Sequence, residues 1–134
     1  MPLVVDASIV LAPGLGETHP KIAPVLAGMG DEEWIVPALW WFEVRNGRIV
    51  NERRGRVTEQ ETARFLREIP LSVTIDRSPD EGAVMALARR HRLTVYDAAY
   101  LELALRERLP LATLDAALAG AARREGVPVL GDDG

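Results

Sequence analysis

Short apolar runs rich in β-branched residues alternate along this chain with longer segments of helical periodicity. Because helical segments and short connections separate the runs, they are expected to form a parallel sheet with helices on both faces. This alternation predicts an α/β fold with a central, mainly parallel sheet. The chain has 134 residues, enough for one core, and we assign residues 1–134 to a single compact domain. Buried strands are predicted at Leu3-Val4-Val5, Trp34-Ile35-Val36, Leu71 to Ile75, Leu111-Ala112-Thr113 and Val127 to Leu130.

Helical segments are predicted between these strands. Thr58 and Glu61 have the spacing of a capping box, and Ser78 and Glu81 repeat that spacing at the start of the next helix. Pro37 stands where the first turn of a helix tolerates proline. A segment at 13–16 is broken by glycine and proline. The predicted helices cover about residues 19–29, 37–54, 58–69, 78–88, 96–106 and 115–124.

The composition excludes several classes of protein. The chain has no cysteine, which rules out disulfides and thiolate metal sites, and only two histidines, His19 and His91. No apolar run approaches the roughly 20 residues of a membrane span. The first residues, MPLVVDAS, lack the basic start and long apolar middle of a signal peptide. A cytoplasmic protein without a membrane partner is therefore expected.

Two aspartates follow predicted strands. Asp6 comes directly after the first strand, and Asp115 lies two residues after Thr113 at another strand-to-helix junction. In an open α/β sheet, ligands bind beyond the carboxyl ends of the strands, and parallel strands place both junctions at the same edge. Aspartate is also a good N-cap, so each residue has a capping explanation beside the functional one.

Glu43 and Asp97 are acids in apolar surroundings. Glu43 shares its helix face with Trp40, and it lies too far into the helix to be an N-cap. Asp97 lies in LTVYDAAYLELA, residues 93–104, with no basic residue within four positions on either side. A buried carboxylate without a partner is costly, so both acids favour a functional explanation. A capping role remains open for Asp97, and Glu102 is expected to point to solvent.

Four acids from four separate elements suggest a cation site made of oxygen ligands: Asp6, Glu43, Asp97 and Asp115. Carboxylates and water suit Mg²⁺ or Mn²⁺, whereas zinc would prefer histidine and cysteine. Carboxylates brought together repel one another, and a divalent cation relieves that repulsion. Because such a metal can hold a phosphate and activate water together, a phosphate-bearing substrate is the usual companion of this kind of site.

Basic residues are concentrated locally, although the net charge of the chain is −4 and its pI is about 5.2. Local basic patches can bind phosphate whatever the total charge. A solvated, charged helix face is an equally open explanation. The candidates for contacts to a nucleic-acid backbone are Arg45, Arg48, Arg53, Arg54 and Arg56.

Four segments of the chain together resemble the PIN-domain family. They are VVDASIVL at 4–11, P-x5-E-x2-N from Pro37 through Glu43 to Asn46, YDAAYLELA at 96–104, and ATLDAALAGAARREGVPVL at 112–130. Within that family, the chain is most similar to the VapC-type ribonuclease toxins of bacterial and archaeal toxin–antitoxin pairs. The segments occur in the family's order and span nearly the whole chain.

The resemblance implies a PIN-like α/β domain that cleaves RNA with Mg²⁺, for which Mn²⁺ can substitute. It places the four acids at a catalytic site, with Asp6 and Asp97 as metal ligands and the other two as ligands directly or through water. It also implies a homodimer and a small VapB-like antitoxin that holds the activity in check. Supporting polar residues beside the pocket are Ser8, Asn46 and Thr113.

The alternative within the same family is a catalytically weak module that binds RNA or protein. A module that only binds anionic RNA gains nothing from a concentrated negative pocket, so the four acids favour the nuclease. Two features depart from the family pattern beside the pocket. Residues 12–20 are broken by proline and glycine where relatives continue a helix, and Gly47-Arg48 differs from the small or apolar pair expected there.

Three consecutive aromatic residues, Trp40, Trp41 and Phe42, lie on the predicted helix that carries Glu43. One helix cannot bury all three against a single core, and Trp41 falls toward the side of Arg45. Aromatic residues are favoured at the centres of protein interfaces. The triplet therefore predicts an interface on this helix, with either a second copy or the antitoxin.

Overall fold

The computed structural model describes residues 1–14, 22–69 and 73–131, which contain a four-stranded parallel sheet. Neighbouring strands pair in the order β3-β2-β1-β4. The predicted α/β fold with a parallel sheet and flanking helices is therefore confirmed. The strands are β1 (Leu3–Val5), β2 (Trp34–Pro37), β3 (Val73–Asp76) and β4 (Leu111–Ala112).

Helices connect the strands and cover the sheet. None of the helices within the described ranges is both long and apolar enough to cross a bilayer. The helices are α1 (Ala7–Gly14), α2 (Ile22–Met29), α3 (Leu39–Arg53), α4 (Glu59–Arg67), α5 (Glu81–His91), α6 (Val95–Glu107) and α7 (Ala116–Arg124).

The strand order places β1 in the interior of the sheet. From β1 the chain passes to β2 and β3 on one side of β1, and it then returns to form β4 on the other side. Because the strand order reverses between β1 and β4, a crevice opens beyond the carboxyl ends of these two strands. The N–H of Asp6 donates to the carbonyl of Ala112 at 2.9 Å and joins the two strand ends. Every residue of both strands is buried, as expected for parallel strands covered on both faces.

Helix α6 is the central helix of the core and contacts β1, β2, β4, α5 and α7. It begins at the N-cap Thr94, whose hydroxyl accepts the N–H of Asp97 at 3.1 Å. Tyr100, Leu101 and Leu103 are buried. Burial of each such leucine contributes roughly 1.5–3 kcal/mol, so this helix is anchored firmly and holds Asp97 in a fixed place.

Of the two capping boxes predicted from the sequence, one is present in the structure and the other is not. The predicted box at Thr58 is confirmed: its hydroxyl accepts the N–H of Glu61 at 3.0 Å, and the Glu61 carboxylate accepts the N–H of Thr58 at 2.9 Å. The second predicted box is wrong. Asp80 rather than Ser78 is the N-cap of α5 and accepts the N–H of Ala83 at 3.0 Å, because aspartate directly before the helix is itself a strong cap.

Several predicted segments differ from the structure. Pro37 is the last residue of β2, where it pairs with Asp76, and α3 begins only at Leu39. Residues 127–130 contribute one parallel bridge, between Leu111 and Val129, rather than a strand, since Pro128 has no N–H to donate. Helix α1 was not predicted, and it includes residues 13 and 14, the first two of the segment that was expected to be broken. Residues 15–21 and 70–72 of the predicted segments lie outside the described residues.

Arg48 does not lie on an exposed charged face of α3, contrary to the prediction. It is 2% exposed, and its guanidinium carbon lies 4.5 Å from the centre of the Phe65 ring. Its Nε donates to the hydroxyl of Thr62 at 3.4 Å. Because α4 supplies these partners, the charge is accommodated inside the protein, and Arg48 is not available on the surface as a nucleic-acid contact.

Glu102 is also buried, although it was predicted to face solvent. It is 3% exposed, and one carboxylate oxygen accepts the N–H of Asp80 at 3.2 Å. Arg106 pairs with Glu102 at 2.7 Å and with Asp76 at 2.7 Å. The buried carboxylate is therefore fully engaged in tying α6 to the start of α5 and the end of β3, which makes it a structural residue.

Candidate active site

The four acids predicted from the sequence line one cavity of about 580 Å³. Asp6 directly follows β1 and Asp115 directly precedes α7, so both lie at the crevice beyond the carboxyl ends of β1 and β4. Glu43 comes from α3 and Asp97 from the first turn of α6. The fold thus brings together acids that are far apart in the chain, on the side of the sheet where ligands of α/β proteins bind.

Asp6 is held in place by two hydroxyl groups. Its Oδ2 accepts from Ser8 Oγ at 2.8 Å and from Thr113 Oγ1 at 2.7 Å. These hydroxyls in turn accept the N–H groups of Leu114 and Asp115, each at 3.0 Å. Each hydroxyl has a single proton. Because the oxygen accepts a backbone N–H on one side, the proton is directed to the other side, where it is donated to Asp6.

The pKa of the Asp6 carboxyl is raised above its ordinary value of 3.8, chiefly because the side chain is buried. The hydrogen bonds from Thr113 and Ser8 oppose this shift, and the nearby charge of Asp115 adds to it. Burial therefore outweighs the two hydroxyl donors. A carboxylate in this setting gains from any additional cation or proton that reaches it.

Glu43 is fixed by Tyr100, whose hydroxyl donates to Oε1 at 2.6 Å. Burial raises the pKa of Glu43, the Tyr100 hydrogen bond lowers it, and the charges of Asp6 and Asp97 raise it further. Burial, followed by the charge of Asp6 and the hydrogen bond to Glu43, raises the pKa of the Tyr100 hydroxyl, which keeps it a donor. Tyr100 was not among the site residues predicted from the sequence. The available signal was its position three residues after Asp97, on the same helix face.

Asp97 is not the cap of α6, because Thr94 performs that role. Burial, followed by the charges of Asp115 and Asp6, raises the pKa of Asp97 from 3.8 to about 6, while the hydrogen bond with Thr94 opposes the shift. The capping explanation therefore does not hold for Asp97. Its carboxyl lines the acidic cavity from the first turn of α6, next to the N-cap Thr94.

Asp115 serves both as a cap and as a cavity residue. Its Oδ1 accepts the N–H of Leu118 at 2.8 Å at the start of α7, as the capping explanation requires. The same side chain lines the acidic cavity and contributes to the raised pKa values of Asp6 and Asp97. A cap uses one carboxylate oxygen, so the capping role of Asp115 is compatible with a second role in the cavity.

The wall of the cavity depends on the glycine that departs from the family pattern. A Cβ atom on Gly47 would lie 2.7 Å from Cδ2 of Leu11, closer than real side chains approach. Glycine therefore lets α1 pack tightly against α3 at this point. Asn46, the next residue along the wall, is exposed and lines the cavity beside Glu43.

The donor set of the cavity fits a divalent cation that keeps part of its water shell. Among residues 1–14, 22–69 and 73–131, no three acidic or imidazole side chains are close enough together to hold one ion. Magnesium usually keeps several waters and is bound through one or two carboxylates, and the donor set suits that mode better than an all-protein cage. A cation would also relieve the mutual repulsion that helps to raise the pKa values of Asp6, Glu43 and Asp97.

The predicted basic and aromatic residues lie outside the cavity. Arg53, Arg54 and Arg56 are exposed at and beyond the end of α3. The guanidinium of Arg45 lies 3.9 Å from the centre of the Trp41 ring. The prediction that α3 cannot bury three consecutive aromatic residues is confirmed: Trp40 is buried, whereas Trp41 is 44% exposed and the following phenylalanine is also exposed.

Comparison with known proteins agrees with this architecture. The sequence profile of the PIN domain matches residues 3–124. Ribonuclease VapC3 of Pyrobaculum aerophilum is 34% identical over 123 residues, which cover 89% of this chain and 93% of that protein.

Solved structures with a similar fold include PAE2754 from Pyrobaculum aerophilum, with a TM-score of 0.70 and 24% identity, over 96% of this chain and 92% of that one. FitAcB from Neisseria gonorrhoeae has a TM-score of 0.58 and 17% identity, over 97% of this chain and 96% of that one. The match to the domain profile, the similarity in sequence and the arrangement of the sheet lead to one conclusion. The chain belongs to the PIN domain family.

Proposed function

We propose that this protein is a metal-dependent endoribonuclease that hydrolyses RNA phosphodiester bonds in its acidic cavity. The observation that carries the proposal is the convergence of Asp6, Glu43, Asp97 and Asp115 on one cavity at the carboxyl edge of the sheet. The relative of 34% identity is named a ribonuclease, which supports RNA as the substrate. By the same relationship, we expect a small antitoxin of the VapB type to hold the activity in check.

The metal that we propose is Mg²⁺, with Mn²⁺ able to substitute. Asp6 and Asp97 would be the direct ligands, and Glu43 and Asp115 would act directly or through water. When bound, such an ion neutralises charge on the phosphate and lowers the pKa of a coordinated water. An all-oxygen donor set in a chain without cysteine suits these ions rather than zinc.

The residues of the chain have separate tasks in the proposed reaction. Ser8 and Thr113 orient Asp6 through its Oδ2. Tyr100 holds Glu43 through Oε1, and the raised pKa of Glu43 suits it to accept a proton from the attacking water. These positions are fixed by the fold before RNA binds, so little reorganisation is needed at the moment of reaction.

The test is RNA cleavage by Asp97→Asn, followed on gels with Mg²⁺, with Mn²⁺ and with EDTA. We expect cleavage by the wild type to require the metal and cleavage by the folded variant to fall by at least about 100-fold, since the carboxylate charge is lost but the shape is kept. Asp80→Asn is the matched control, because it makes the same chemical change at an exposed helix cap outside the cavity. Glu102 cannot serve as a control because it is buried and ion-paired.

Two results would contradict the proposal. Near-wild-type turnover by folded Asp97→Asn would remove Asp97 from the site. Metal-independent RNA binding by the wild type, without cleavage under any condition, would support the alternative, a catalytically weak module that binds RNA or protein.

A further inference from the structure

A smaller recess of about 370 Å³ lies beside the acidic cavity. It is lined by Leu39, Phe42, Glu43, Asn46 and Tyr96. Glu43 and Asn46 line the acidic cavity as well, so the two spaces share a wall. When one group of a ligand is bound at the acids, the adjoining group of the same ligand would therefore lie in this recess.

Two aromatic side chains of the recess are exposed to solvent. Phe42 is 67% exposed and Tyr96 is 64% exposed. Each directly precedes an acid of the cavity, Glu43 and Asp97 respectively, so the two Cα atoms of each pair are only about 3.8 Å apart. The sequence thus places an exposed ring next to each of two acids that come from different helices.

The chemistry of the recess favours an uncharged, planar group. A second phosphate would be repelled by Glu43 and Asp97, whereas a nucleobase carries no charge at neutral pH. Aromatic rings stack on the faces of unpaired bases, and single-stranded RNA is commonly held in this way. Asn46 can both donate to and accept from the edge of a base, because its amide has both kinds of group.

We propose that this recess is a base-stacking subsite, in which Phe42 and Tyr96 hold the nucleobase next to the phosphate bound at the acidic cavity. The proposal rests on the proposed nuclease function and adds to it the residues that position the RNA. Phe42 and Tyr96 are positioning residues, and Asn46 is a candidate for discrimination between bases. The arginines at the end of α3 would contact the backbone farther along the strand.

The experiment compares two labelled probes of about twelve nucleotides: an oligoadenylate and a ribose-phosphate oligomer of the same length without bases. Both carry the same phosphates, so the ratio of their Kd values isolates the contribution of the bases. Fluorescence anisotropy in EDTA measures the ratio without cleavage. We expect the wild type to bind the oligoadenylate about tenfold more tightly or better, and the Phe42→Ala, Tyr96→Ala double variant to lose most of this preference.

Two further variants show whether the aromatic rings themselves matter. Tyr96→Phe keeps the ring and should keep the preference. Met85→Ala removes an exposed apolar side chain from α5, outside the recess, and should also keep it. With Mn²⁺, Tyr96→Ala should raise the KM for RNA cleavage more than it lowers kcat, because stacking acts on binding.

Retention of the preference by the folded double variant would overturn the subsite. If that variant also shows altered self-association in ultracentrifugation, the aromatic surface is a protein interface. The outcome is separable from that of the nuclease proposal. A wild type that prefers bases but cleaves no RNA contradicts only the nuclease, whereas cleavage that is unaffected in the double variant contradicts only the subsite.

Discussion

Replacement of Asp97 by asparagine should make the metal-free protein more stable near neutral pH. In the folded protein the pKa of Asp97 is raised from 3.8 to about 6, mainly by burial and then by the charges of Asp115 and Asp6. Between these two pH values the unfolded chain releases a proton that the native state still holds. The free energy of unfolding of the wild type must therefore fall as pH rises through this window, and it stays low above it.

The size of the effect follows from the shift. A change of about two pKa units corresponds to roughly 3 kcal/mol for a fully shielded group. Asp97 is only partly buried, and solvent screening reduces the expected gain to about 1–2 kcal/mol. For a protein of this length that gain corresponds to an increase in Tm of roughly 3–10 °C. Asparagine has nearly the same shape as aspartate, so the substitution opens no cavity.

The assay is thermal unfolding of wild type and Asp97→Asn, followed by circular dichroism in EDTA from about pH 4 to about pH 8. The difference in Tm should be small at the lower limit, grow up to about pH 6 and then level off. Addition of millimolar Mg²⁺ or Mn²⁺ should stabilise the wild type, by about 2.7 kcal/mol at a hundredfold excess over Kd. Asp97→Asn should lose most of that response, whereas Asp80→Asn should keep it.

Two observations would refute this reasoning. If Asp97→Asn is less stable than the wild type at every pH, repulsion and burial do not dominate the energetics of Asp97. If the Tm of the wild type does not respond to Mg²⁺ or Mn²⁺ at concentrations that support cleavage, the acidic cavity is not a cation site.

Two further predictions concern binding surfaces. Replacement of Arg53, Arg54 and Arg56 by glutamine should weaken RNA binding and lower its salt slope by roughly 0.7 for each phosphate that is no longer neutralised. An unchanged slope, measured by titration at several salt concentrations, would leave these arginines as a solvated surface or one that faces the antitoxin. We also predict that the protein is a dimer in solution, and that Trp41→Ala weakens either self-association or antitoxin binding in sedimentation and pull-down measurements. If neither changes, Trp41 is an ordinary exposed aromatic residue stacked beneath Arg45.

The four strands of the sheet and the acids that line the cavity at its edge could be predicted from the sequence, although the fifth strand predicted at 127–130 is only a single bridge. The strands could be predicted because each is a short run between helical segments, β-branched in β1, β2 and β3 and simply apolar in β4, and Asp6 could be placed because it directly follows β1. Helix α1 was missed because its sequence, ASIVLAPG, is almost uniformly apolar and gives no amphipathic period. Pro13 and Gly14 made a helix seem still less plausible there.

The errors at charged residues have a different cause. Arg48 and Glu102 were assigned to solvent because local periodicity shows only the neighbours within a few turns. Arg48 is covered by Phe65 of α4, and Glu102 accepts the backbone N–H of Asp80 in addition to pairing with Arg106 of its own helix. The hydroxyl of Tyr100 likewise finds Glu43 across 57 positions of the chain. The contacts between different elements depend on tertiary packing and leave no periodic signal in the sequence.

The hydrogen bond between Thr113 and Asp6 spans 107 positions and has a consequence for the order of folding. Among the four strands β1 is synthesised first, yet one of its two partner strands, β4, is synthesised last. Strand pairing between such distant segments is slow because a long loop must close first. Until residues around Thr113 emerge from the ribosome, Asp6 lacks one of its two hydroxyl donors and β1 has an open edge. A chain that has been synthesised only as far as β3 therefore carries no assembled acidic cavity, and the proposed nuclease can become active only after all four strands and Asp115 have been made.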